Sequence, residues 1–191
     1  MTSARDITER LIEEGINARA HFQVWWALRN LALPTYHETM SQFKYVDFFH
    51  AANSGHYVLF FLALTEIFDN DSRVAGISEL KRALVSEGLG GVAQALEDRL
   101  RPFTPRVQKL MAIRNRSVVH NEHAIPRHRV YQINGITPNE LRELIDITCE
   151  GINGVARALS INNVIFDSNR AQDATMHMLE TLERGRKAHE A

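Results

Sequence analysis

Residues 137–159 read TPNELRELIDITCEGINGVARAL, and this stretch decides the fold class. Thr137 is an N-cap residue, and Pro138 takes the first helical position, where its missing N–H leaves no bond unmade. Glu140 stands three residues past the cap, where its carboxylate can return a hydrogen bond to the cap's own N–H. Leu141, Leu144, Ile145, Ile147, Ile152, Val155 and Leu159 then recur largely at helical spacing. That pattern predicts an amphipathic helix over Asn139–Leu159 with one buried face.

Outward from this stretch, helical periodicity continues in both directions. Toward the C-terminus, Ser168–Lys187 carries Ala171, Thr175, Met178, Leu179 and Leu182 on one side and is otherwise polar. It is expected as a peripheral helix spanning 168–191. Upstream, Val107, Leu110, Met111, Ile113 and Val118 predict a helix over Thr104–Val119, with Pro105 near its first turn and Pro126 beyond its end. Residues 127–136 read as a connector, in which Val130, Tyr131 and Ile133 form a brief extended segment. Two short helices are expected before Pro102, at Ile77–Ser86 and Gly91–Leu100. The turn Asp69-Asn70-Asp71-Ser72 precedes them. It carries the alternating acids of half a calcium loop but lacks the loop's glycine and closing glutamate.

Met40–Phe68 predicts a long helix whose apolar residues (Phe43, Val46, Phe49, Val58, Leu59, Phe61, Leu62, Leu64, Ile67 and Phe68) cover most of its circumference. Such a helix is expected at the centre of a bundle. Asp6–Leu33 predicts the first helix, with Ile7, Leu11, Ile12, Ile16, Phe22, Trp25, Trp26 and Leu28 inward and Pro34 as its stop. His50 and His56 read as hydrogen-bonded core or interface histidines.

Ten glycines and five prolines in 191 residues leave little room for a turn-rich β-fold. The expectation is an all-α, up-and-down helical bundle of about five to six helices, a single domain over 1–191. Its hydrophobic fraction of 45% and charged fraction of 24% exclude a disordered chain. The lone Cys149 excludes an internal disulfide and a cysteine-rich zinc site. Met1–Arg19 is charged throughout and lacks the apolar core of a secretory signal. Tyr57–Thr65, the most apolar run, falls far short of the ~20 residues that span a bilayer. The expected location is the cytoplasm, without membrane contact.

The net charge of −1 points to no polyanion, but its distribution does. Eight cations lie between Arg99 and Arg129, against a single acid, Glu122. Either this region meets phosphates or its charges pair with acidic helices elsewhere. Within it lies Met111-Ala-Ile-Arg-Asn-Arg-Ser-Val-Val-His120. Arginine presents a permanently charged fork to phosphate, histidine moves a proton near neutral pH, and asparagine can orient either. For RNA, a base on the 2′-OH and a cation on the charged phosphorus intermediate suffice without a metal. On a straight helix His120 lies about 120° around from Arg114. The site therefore needs either a loosened helix or a second chain. Arg116, four residues before His120, shares its face.

Arg114, Asn115 and His120, with five residues between the arginine and the histidine, resemble the R-x4-6-H motif of the HEPN superfamily. These are small helical bundles of prokaryotic defence and toxin–antitoxin systems. The stretch Phe61–Leu84, where Ile67-Phe68-Asp69 closes a long apolar helix before a short one, resembles the AbiU2-like branch linked to abortive phage infection. The resemblance implies metal-independent endoribonuclease activity at a site formed across a homodimer by Arg114, Asn115 and His120. Arg106, Lys109, Arg116, His123 and Arg127 would contact RNA. It implies equally a non-catalytic RNA- or protein-binding module, since members of the superfamily serve as such, and an antitoxin or other protein partner. Position 122, where some toxins of the superfamily carry a modified tyrosine, is Glu122. His120, His123 and His128 lack the zinc-protease spacing, so neither metal nor cofactor is expected.

Overall fold

The structure, a computed structural model, describes residues 2–114, 135–161, 166 and 168–190. Every regular element among them is helical: α1 (Ala4–Trp26), a π-helical turn (Ala27–Leu31), α2 (Leu33–Met40), α3 (Val46–Ile67), α4 (Ile77–Ser86), α5 (Gly90–Leu100), a 3-10 turn (Arg101–Phe103), α6 (Thr104–Ile113), α7 (Pro138–Ala158) and α8 (Arg170–Glu190). The chain is all-α as expected, with more helices than the five or six anticipated. None of the described helices is long and apolar enough to cross a membrane.

One helix that the sequence did not announce, α2, comes from Pro34. Instead of stopping the first helix, Pro34 lies in the first turn of α2, where a missing N–H is harmless. The preceding turn widens to a π-helix, closed by Ala32 N–H on Ala27 O at 2.8 Å. The expected Asp6–Leu33 helix therefore ends at Trp26. Residues 130–133, expected to be extended, lie outside the described residues.

Contacts divide the chain into two compact units, residues 1–18 with 61–166 and residues 19–60 with 167–191. In the first, Ile7, Leu11, Phe61, Leu64, Ile67, Leu80, Leu84, Leu110, Ile113, Leu144 and Ile145 are fully buried. Each such side chain contributes about 1.5–3 kcal/mol relative to exposure. Helix α5 packs on both α4 and α7. The approach to α7 runs over Gly151, where a Cβ would stand 2.9 Å from Leu96 Cδ1. The expected capping box opens α7: Glu140 N–H donates to Thr137 Oγ1 at 3.2 Å, and Thr137 N–H to Glu140 Oε2 at 2.7 Å. At α1, Glu87 accepts the Ala4 N–H at 2.7 Å, which serves a first-turn donor that has no partner in its own helix.

In the second unit, Leu28, Ala32, Phe49 and Leu179 form a buried core, with Tyr36, Met40 and Leu182 against it. The polar α8 is held there by Leu179 and by Glu183. Glu183 accepts hydrogen bonds from Thr39 Oγ1 and from Arg186 Nη2, the latter at 2.9 Å. Trp25 packs within 5.5 Å of Phe60 and 5.6 Å of Tyr57 between ring centroids, so the tryptophans belong to an aromatic core, as expected.

Four apolar side chains expected to be inward on the second long helix, Phe43, Val46, Val58 and Leu59, are exposed instead, as is Ile16 of α1. Helix α3 begins only at Val46, so Phe43 falls in the turn before it. An apolar circumference predicts burial on every side, and α3 has residues to cover only part of its own.

Candidate functional site

Helix α6 runs from Pro105 in its first turn to Ile113, burying Leu110 and Ile113. Arg114 follows at the helix end. Its side chain is 24% exposed, and Nη1 donates to Asp69 Oδ2 at 2.9 Å. Its Nε is buried and has no hydrogen-bond partner among the described residues. In an arginine, Nε and one Nη form the fork that takes two oxygens of a carboxylate or phosphate. Asp69 thus holds one end of the guanidinium, and no described residue supplies an acceptor for the Nε donor.

Asp69 is itself well anchored. Its N–H reaches Glu66 O at 3.1 Å as α3 ends, and its Oδ1 accepts the Asp71 N–H at 3.0 Å. The Asp71 N–H, followed by Arg114, holds its carboxyl below the usual range against an opposing effect of burial. Gly76 closes the loop from the other side, and a Cβ there would stand 2.6 Å from Asp69 O. The turn residues that read as half a calcium loop therefore serve an arginine. Asp71 gives its carboxylate to Arg73 at 2.6 Å and is depressed to about 2 by that bond.

The other described cations of the basic stretch also face carboxylates. Arg106 Nη1 meets Glu143 at 2.6 Å, and its guanidinium lies over the Phe103 ring at 5.0 Å. Lys109 donates to Gly135 O at 3.0 Å and lies 4.0 Å from Glu140. Arg99 meets Glu150 at 2.6 Å, and Arg101 pairs with Asp98. Pairs this open to water are weak and screened by salt, so a phosphate can compete for their cations. Of the expected site residues, Arg106, Lys109 and Arg114 are thus placed. Asn115, Arg116, His120, His123 and Arg127 lie outside the described residues.

Two features escaped the reading of the sequence. Asp69 was legible as a turn residue, but nothing local marks it as the partner of an arginine 45 positions away. Likewise His56, expected to be hydrogen-bonded, meets the unanticipated His21, with Nδ1 atoms 2.9 Å apart. Burial holds both imidazoles below their ordinary pKa, and His21 adds to the effect on His56.

Among known proteins, the HEPN family model described as AbiU2 matches residues 1–177, a span that includes Asp69 and Arg114. No curated protein and no solved structure matches the chain.

Proposed function

The chain belongs to the AbiU2 family of HEPN domains, and from that premise we propose that it is a metal-independent endoribonuclease of a prokaryotic defence or toxin–antitoxin system. Arg114 holds the scissile phosphate, His120 moves the proton, Asn115 orients the two, and the site is completed across a homodimer. The observation that carries this reading is the state of Arg114. It stands at a helix end, one Nη is fixed by Asp69, and its Nε donor has no acceptor among the described residues. A guanidinium fixed in this way loses little further freedom when it binds a phosphate. His120 as base takes the proton of a 2′-OH, and the freed oxygen attacks the adjacent phosphorus. The P–O5′ bond breaks, and the departing 5′-oxygen recovers a proton from the histidine. The product strand then ends in a 2′,3′-cyclic phosphate. Charge on the phosphorane oxygens is met by Arg114, with Arg116, Arg106 and Lys109 adding field along the RNA.

A second reading, a non-catalytic module for RNA or a protein partner, is favoured by one specific observation. Each described cation from Arg99 to Arg114 already has a carboxylate beside it. Incubating the purified chain with a mixed RNA pool in EDTA decides between them, with His120→Ala and Arg114→Ala alongside and their helicity checked by circular dichroism. Cutting that survives EDTA, leaves cyclic phosphate ends and drops at least a hundredfold in both variants is the expected result. No cutting, or equal cutting by all three chains, overturns the nuclease in favour of the binding module.

A further inference from the structure

In the second unit, α1 and α3 are joined by the histidine pair His21 and His56. Their Nδ1 atoms stand 2.9 Å apart, and both side chains are half-buried. The ring centroids are 5.0 Å apart and the planes inclined by 45°, so the rings do not stack and the nitrogens meet. An aromatic contact braces the pair. Trp25 lies four residues beyond His21 on α1 and Phe60 four beyond His56 on α3, each one turn from its histidine on the same face. The Trp25 and Phe60 ring centroids are 5.5 Å apart, and Phe22 packs edge-on against Phe60 at 5.4 Å. Packed rings thus set the spacing of the two helices, and the imidazoles are held in place before anything binds them.

We propose that His21 and His56 form a binding site for a divalent transition-metal ion of the nickel and copper class, ligated by both Nδ1 atoms. Distance selects the class. Imidazole nitrogens ligate such ions at about 2.0–2.1 Å, and two of them at a right angle then stand about 2.9 Å apart. The tetrahedral angle of zinc would spread them to roughly 3.3 Å, whereas the right angle is that of tetragonal copper and nickel. Protonation agrees. Burial holds both imidazoles below their ordinary pKa, so at neutral pH both are uncharged, as ligation requires. Without metal, the same separation serves a hydrogen bond from one Nδ1–H to the other Nδ1. When the ion binds, that proton passes to Nε2 of its own ring, and both Nδ1 lone pairs turn to the metal. With no third His, Cys, Asp or Glu grouped with them among the described residues, water takes the remaining positions and the ion exchanges readily. The site shares no residue with the one proposed for RNA cleavage, so its test is independent of that reading.

The test is titration of the untagged chain with Ni²⁺, read as bound metal by equilibrium dialysis and as quenching of tryptophan fluorescence, since Trp25 lies one turn from His21. The wild type is expected to bind a single ion per chain with its emission quenched. His21→Gln and His56→Gln are each expected to weaken binding by about a hundredfold, because even a partner that merely orients a metal ligand is worth about 10–100-fold. His50→Gln, at an exposed position on the same helix α3, is the control and should keep the affinity. Circular dichroism and Tm show whether the variants fold. Should a variant lose its helicity, the wild-type Cu²⁺ complex decides by electron paramagnetic resonance. Hyperfine coupling to two imidazole nitrogens, with tryptophan emission quenched, supports the site; a single nitrogen or unquenched emission overturns it. Absence of binding, or affinity kept by either folded Gln variant, overturns it as well.

Discussion

At the scale of single residues, Asp69 carries the most consequence. Its carboxylate is 19% exposed and divides itself between the Asp71 N–H and the Arg114 guanidinium. Asp69→Asn keeps the shape but removes the charge, and a hydrogen bond to a charged group is worth about 1.5–3 kcal/mol. With both partners partly open to water, the variant is expected to lose about 1–2 kcal/mol in urea unfolding at pH 7. The pH dependence follows from the lowered pKa. The unfolded carboxyl titrates near 3.9 and the folded one below it, so the contribution is complete above about pH 5 and fades as acid protonates the native carboxylate. Wild type and Asp69→Asn should therefore differ at pH 7 and converge as the pH falls through 4. A gap that stays constant down to pH 3 would remove the charge from the account. Arg114 was legible from its motif because arginine and histidine at that spacing suggest a chemistry. Asp69 was not, because its role depends on a fold that brings the end of α3 to the end of α6.

At the scale of elements, the helix starts were the most legible feature, because caps are local physics. Thr137, Pro138 and Glu140 are read within four residues, and both bonds of the capping box are present. Thr137→Ala removes one of them and is expected to cost about 1 kcal/mol by chemical denaturation, while Thr137→Ser restores most of it. Equal stability of all three chains would show that tertiary packing alone holds the start of α7. The helix ends were harder to read. Pro34 is compatible with stopping one helix and with opening the next, and the chain chooses the second by widening a single turn. Helix α3 shows the limit of periodicity. An apolar residue on each side states what a helix would bury, and only the neighbours determine what it does bury. The exposed Val46, Val58 and Leu59 come from that gap.

At the scale of the molecule, composition and helical spacing sufficed for the all-α class, and the family follows from the match over 1–177. The division of contacts into two units was not legible, because each unit joins segments far apart in sequence. Thr39 and Glu183, hydrogen-bonded in one of them, are 144 positions apart. Leu179, fully buried there, supplies a prediction. Leu179→Ala should cost about 2–4 kcal/mol, as large-to-small core changes do. Its effect on amide hydrogen exchange should concentrate in residues 19–60 and leave α4, α5 and α7 nearly unchanged. Uniform acceleration along the whole chain would mean that the two units open as one. The placement of α8 also sets a timetable for the newborn chain. Residues 19–60 leave the ribosome with Leu28 and Phe49 in place, yet Leu179 follows only after a further hundred or so residues have been translated. At roughly 5–20 residues per second the delay is on the order of ten seconds. Through that interval the unfinished face is open to chaperones and proteases, and the arrival of the last helix is the event that closes it.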